Sequence, residues 1–266
     1  MENNKKKRGL DEVRAFARQR PKVFAVYVIL RLLVVAALVR SAMLKEYESM
    51  FVCLLVLVLF MLPSFLERKL KIELPDTLEI IILVFIFAAE ILGELECYFI
   101  QYPNWDTILH TTSGFLCAAI GFSLVNLLNK DNRISLSLSP LYMAIAAFCF
   151  SMTIGVLWEF IEFSADRLFL LDMQKDTVIS SVALDATNSN TPIVIRNIND
   201  VAVNGQSLGL GGYLDIGLYD TMEDLFVNFI GAVVFSLFGY FYVKHEGRGK
   251  LVSSLVPRVA KGEDEE

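Results

Sequence analysis

The stretch WDTILHTTSGFLCAAIGFSLVNLL, Trp105 to Leu128, decides how the chain is read. From Ile108 onward it is an apolar run of membrane-span length. Its head nevertheless carries Asp106 and His110, four residues apart. Residues i and i+4 share one helix face, so both side chains point the same way. Ionisable groups in a span are costly and normally have a partner or a task.

The same kind of run recurs along the 266 residues, which are 55% hydrophobic, and mean hydropathy is +0.53. That composition is too apolar for a soluble domain and suits a polytopic membrane protein. Spans are expected at about 23–39, 50–66, 78–95, 106–128, 141–163 and 220–243. The expected fold is therefore all-α and polytopic, with six transmembrane helices. Four cysteines, Cys53, Cys97, Cys117 and Cys149, form no CxxC pair and read as small residues of apolar runs. The first run contains Arg31 and lacks a small-x-small cleavage site, which argues against a cleaved signal peptide.

Segments between the spans carry the orientation signal. Residues 1–22 form a basic tail, and with 67–75, 129–140 and 244–266 its side holds eighteen Lys or Arg. Segments 40–49, 94–105 and 163–219 hold five. This bias places both termini in the cytoplasm. The tail reads as solvated and orienting, and Arg31 as paired with an acid on a neighbouring helix. Pro63 should kink or close span two. Asp76 and Glu79 have the spacing of a capping box for span three.

The chain divides into the tail 1–22, helices one and two over 23–66, core helices three to five over 77–163, a polar insert 164–219, helix six over 220–243 and the tail 244–266. The insert lies outside the membrane and has its own structure, with strands expected over Thr177–Leu184 and Ile193–Val203. Asn204-Gly205 marks a hairpin turn.

Alternating helix direction then gathers the acids. Glu90 and Glu94, Asp106 and His110, Glu159, Glu162 and Asp166, and Asp220, Glu223 and Asp224 all fall at the outer ends of spans three to six. The faces agree: Asp106, His110, Gly114, Cys117 and Gly121 form one stripe; Ser151, Gly155, Glu159, Glu162 and Asp166 a second; Asp220, Asp224, Asn228, Ala232 and Ser236 a third. Small residues below the acids allow close helix approach. A tight bundle of spans three to six with a polar pocket at its outer mouth follows.

Close carboxylates must protonate or share a cation. Asp106, His110, Glu159, Glu162, Asp220 and Asp224 are candidate ligands for a divalent Zn²⁺, Mn²⁺ or Mg²⁺ ion, with Glu90 and Asn228 as further pocket residues. All of these except Asp220, Glu90 and Asn228 are also candidate catalytic residues. Asp106 and Asp220 also read as helix-opening acids. Glu94, Glu96, Glu223 and Asp166 read as solvated, and Trp105 and Trp158 as interfacial anchors. No glycine-rich phosphate loop occurs, so no nucleotide is expected, nor a nucleic-acid partner.

The ordered set Asp106-x3-His110-x3-Gly114-Phe115, Glu159-x2-Glu162-Phe163 and Asp220-Thr221-x2-Asp224-x6-Gly231-Ala232 resembles the YjdF-type family of uncharacterised bacterial integral membrane proteins. More distantly it resembles VanZ-like proteins, which share an Asp-x3-His, a Glu-x2-Gln and a final Asp-x3-Asn-x2-Gly. Asp224-x3-Asn228-x2-Gly231 matches the last, and Glu162 stands where that pattern has glutamine. The resemblance implies a bacterial plasma membrane and an externally facing site, and supplies no reaction. VanZ-like proteins are associated with teicoplanin resistance.

Three functions are compatible with these residues. The first is metal-dependent chemistry on a lipid or lipid-linked envelope substrate. The second is ion- or proton-coupled transport. The third is a non-catalytic interaction role through the insert.

Overall fold

The computed structural model describes residues 13–70, 72–130, 138–185, 191–247 and 249–259. Residues 13–19 form a short helix, α1. Helix α2 follows over Pro21–Leu44, opened by a proline whose missing N–H costs nothing in the first turn. The expected second span is two helices, α3 (Tyr47–Leu59) and α4 (Leu62–Leu70), broken just before Pro63. A proline removes the hydrogen bond to the preceding turn and favours that break.

Span three is α5 (Asp76–Ile86) running into a π-helical stretch, η1 (Phe87–Leu95). Glu90 and Glu94 both lie in the π-helical part. A short helix α6 (Tyr98–Gln101) follows, and its Tyr98 ring packs on Tyr102 and Trp105 at 4.7 and 5.0 Å between centroids. Then come the three long helices α7 (Trp105–Lys130), α8 (Pro140–Phe169) and α9 (Leu218–Lys244). Ser139 caps α8 by accepting the Tyr142 N–H. Among the described residues, five helical segments are long and apolar enough to cross a membrane: Pro21–Leu44, Tyr47–Lys69, Trp105–Asn129, Pro140–Phe169 and Leu218–Lys244.

Two cores result. Helices α7, α8 and α9 pack on one another around Leu116, Ala118, Ala119, Phe122, Met143, Ala147, Ala232 and Phe235. The second core joins α2 and α3 to span three through Val23, Tyr27, Val34, Cys53, Val56, Phe60, Leu83 and Ile91. Span three, expected in the tight bundle, divides between the two cores. Its Leu78 enters the first core, but Leu83 and Ile91 enter the second. Its alternating apolar faces let it bridge the two.

Close approach in the bundle depends on glycine. A Cβ on Gly231 would strike the Thr111 carbonyl and lie 2.8 Å from the Phe115 nitrogen. One on Gly114 would strike the Asn228 backbone, and Ser151 Oγ donates to the Gly114 carbonyl at 2.7 Å.

The end opposite the insert is closed by strands and ion pairs. Strand β1 (Ile72–Glu73) pairs antiparallel with β8 (Arg258–Val259), after a short α10 (Lys250–Ser253). Asp76 and Glu79 do not form the expected capping box. Pro75 occupies the N-cap, and both acids instead bind Arg20, at 2.6 and 2.7 Å. Arg20 also donates to the Leu74 carbonyl at 3.0 Å. It is thus a structural clamp, not part of a solvated tail. Arg31 likewise departs from expectation: its guanidinium lies over the Tyr27 ring of its own helix, 5.0 Å from the centroid.

The insert begins later than expected, because α8 continues to Phe169. It contains short antiparallel pairs. The strand expected over Thr177–Leu184 is split. Strand β2 (Thr177–Ile179) pairs with β7 (Tyr213–Asp215), and β3 (Val182–Leu184) with β4 (Ile193–Ile195). The stretch to Val203 likewise ends in a separate β5 (Ala202–Val203), paired with β6 (Gln206–Ser207). Asn204 and Gly205, at φ 53° and 78°, form the expected turn between β5 and β6.

Candidate functional site

Three helices deliver the site. Asp106 and His110 stand one turn apart on α7, and His110 Nε2 lies 3.5 Å from Asp106 Oδ1. On α9, Asp224 brings Oδ2 to 3.8 Å from the same nitrogen. On α8, Glu159 Oε1 lies 4.0 Å from the other ring nitrogen, Nδ1. Glu162, one turn along, accepts a hydrogen bond from Trp158 Nε1 at 2.8 Å.

The acids do not line an open mouth. Glu159, Glu162 and Asp224 are 4, 8 and 3% exposed. Each has one oxygen, Oε2, Oε2 and Oδ2 respectively, with no hydrogen-bond partner among the described residues. Ligand atoms of Asp106, His110 and Asp224 lie within 4.8 Å of one another, as do those of Glu159, Glu162 and Asp224. Such donors suit a divalent cation.

The remaining candidates sit around this centre. Asn228 is one turn below Asp224, 2% exposed, and donates to the Met152 sulfur at 3.6 Å. It wedges against Gly155, where an added Cβ would stand 2.6 Å from its Nδ2. Asn228 therefore sets helix spacing beneath the acids. Asp220 does not join either group of ligand atoms; its Oδ2 accepts the Lys175 N–H at 2.8 Å. Glu90 also stands outside both groups. Its π-helical stretch turns toward α3 and the second core, and this removes it from the α7–α8–α9 interface.

Asp166 is structural as well. Its two oxygens accept the N–H groups of Met173 and Gln174 at 2.6 and 2.9 Å. With the Asp220 contact this ties the strap Met173–Lys175 across the insert end of the bundle. Gln174, 8% exposed, donates through its side chain to Thr221 Oγ1, and both flank Glu159. Neither Gln174 nor Thr221 stood out in the sequence as a site residue. Thr221 lay within the quoted motif, but nothing local marks Gln174, because its position follows from tertiary docking of the strap. Asp215 caps α9 by accepting the Tyr219 N–H at 2.9 Å.

No curated protein and no solved structure matches the chain. The profile of the family described as "Predicted membrane protein (DUF2238)" matches residues 26–245, a range that includes every residue of the site. The chain therefore belongs to this membrane-protein family, the YjdF-type family that its ordered motifs resemble.

Proposed function

We propose that this multi-pass membrane protein holds a divalent cation, Zn²⁺, Mn²⁺ or Mg²⁺, at the insert end of the α7–α8–α9 bundle. There it would act on a lipid or lipid-linked cell-envelope substrate. One observation carries the reading: three carboxylates that are buried and each have an unpartnered oxygen cluster together, and two of them, Glu159 and Asp224, face one histidine along with Asp106. Bare buried carboxylates are strongly disfavoured, and a shared cation relieves them. Asp106, His110, Glu159, Glu162 and Asp224 are the ligands in this reading. Asp220 positions the strap. The cation would polarise a substrate oxygen or activate water. A membrane-borne substrate is favoured by Trp158, which holds Glu162 yet is 43% exposed, beside the exposed Phe160 and Ile161.

Six crossings with both termini cytoplasmic fit the contacts. Pairing of β1 with β8 requires an even number of crossings between residues 73 and 258. The helices α7, α8 and α9 would supply three, and a crossing by α5 with η1, whose twenty residues are long enough, would supply the fourth. The Arg40–Glu96 ion pair at 2.7 Å likewise needs two crossings between its partners. The insert then faces outward.

The test is elemental analysis of the purified full chain and of His110→Ala. A bound divalent metal, present in smaller amount in the variant, is expected. A wild-type protein that neither retains metal nor takes up added Mn²⁺ overturns the reading.

Transport is the second reading, favoured by the buried Ser151, Asn228 and Ser236 below the acids. Against it, Phe115, Phe122 and Phe235 interlock deeper in the bundle, with centroids 5.0 and 6.1 Å apart. Ion-gradient-dependent uptake in proteoliposomes would support transport. An interaction role is favoured by β4, whose Ile193, Val194 and Ile195 are all exposed. It would prevail if deleting the insert abolishes a cellular phenotype that His110→Ala and Glu159→Gln leave intact.

A further inference from the structure

We infer that the centre is built for two divalent cations sharing Asp224, an inference that rests on the cation-dependent reading above. The ligand atoms fall into two sets, Asp106–His110–Asp224 and Glu159–Glu162–Asp224, each within 4.8 Å internally. Asp224 alone is common to both. A carboxylate has two oxygens and can offer one to each side.

The His110 ring divides the two positions. Its Nε2 faces Asp106 and Asp224 at 3.5 and 3.8 Å, while Nδ1 faces Glu159 at 4.0 Å. One nitrogen is thus turned to the first position as a ligand. The other is turned toward a carboxylate of the second, beyond direct hydrogen-bond distance.

The unpartnered oxygens give independent support. Two of them, on Glu159 and Glu162, belong to the second set, and the third is on the shared Asp224. A single cation in the His110 set would leave Glu159 and Glu162 buried without a counter-charge. Charge balance argues the same way. Asp106, Glu159, Glu162 and Asp224 carry four negative charges when ionised, which two divalent cations neutralise and one does not. Uncompensated charge in so enclosed a place is strongly disfavoured. One imidazole nitrogen among carboxylate oxygens fits Mn²⁺ well.

The test is equilibrium dialysis of the full chain in lipid nanodiscs against Mn²⁺. Metal per chain is counted by mass spectrometry, and the bound ions are read by electron paramagnetic resonance. Wild type should hold two Mn²⁺ per chain, with a spectrum broadened by coupling between neighbouring ions. His110→Ala and Glu162→Gln should each lose about half the bound metal and show the six-line spectrum of an isolated ion. Asp224→Asn should lose both ions. The two single-position variants decide the matter even if Asp224→Asn fails to fold. Saturation of wild type at one Mn²⁺, with His110→Ala and Glu162→Gln each abolishing binding, overturns the shared pair and leaves the single-cation reading standing. Wild type that binds no Mn²⁺ overturns both.

Discussion

Gly231 sets how closely α9 approaches α7. A methyl group there would meet the Thr111 carbonyl and the Phe115 nitrogen, both of them backbone atoms that cannot swing aside. Alanine would gain roughly 1 kcal/mol of helix propensity over glycine. Overpacking a tight contact costs about 1–3 kcal/mol, more still against rigid backbone, so the loss wins. Gly231→Ala should therefore lower the thermal unfolding midpoint in detergent. Gly93→Ala, whose new methyl would lie nearest the Phe99 ring, should be milder because a side chain can rotate away. Unchanged midpoints for Gly231→Ala would show that the helices are not held at this contact. At this scale much was legible beforehand. Asp106, His110, Glu159 and Asp224 could be placed together because helical spacing and alternating span direction are properties of the sequence. Asp220 could not be told from the site acids, nor Asp166 from a solvated one, since their partners are backbone N–H groups of a strap whose docking no local pattern encodes.

Between elements, Arg20 links the start of α2 to the start of α5. Glu79 is 1% exposed and lies 2.7 Å from the guanidinium, while Asp76 and Glu67 are on its outer side. Removing one partner of a buried pair strands the other charge, at a cost of about 3 kcal/mol or more. Arg20→Met should destabilise the chain strongly, and adding Glu79→Gln should restore much of the loss by removing the stranded charge. Equal midpoints for the single and double variants would refute this clamp. The spacing of Asp76 and Glu79 suggested a capping box because helix starts favour acids. The partner lay 56 residues back in a segment that composition alone describes as solvated. In the insert, Asp176 has its carboxyl held above the ordinary value of 3.8 by partial burial first, then by Asp172, Asp215 and Asp166. The folded segment thus binds a proton more readily than the unfolded one just above that value. The resulting stability is complete at lower pH and is lost as pH rises through the folded value. Hydrogen exchange at β2 and β7, corrected for intrinsic rates, should quicken across this window, and Asp176→Asn should flatten the trend.

For the whole molecule, the strongest constraint is that strands from distant parts of the chain pair at one end. Apolar length marks Pro21–Leu44, Tyr47–Lys69, Trp105–Asn129, Pro140–Phe169 and Leu218–Lys244 as candidate spans. Span three was legible as an apolar run but not as a bridge between two cores, because both of its faces are apolar. Its π-helical half also interrupts the regular helix. Whether it crosses reverses the side of everything after it. With six crossings, the insert is external and α10 is cytoplasmic; with five, the two are exchanged. The experiment uses single cysteines at Ser207, in β6, and Ser253, in α10, with the four native cysteines replaced. A membrane-impermeant maleimide added to spheroplasts should label Ser207→Cys at once and Ser253→Cys only after permeabilisation. The reverse pattern would defeat the six-span topology, and with it an outward-facing acid centre. The bias of eighteen cationic residues against five favours the first outcome. So does the β1–β8 pair, which could not form across a bilayer.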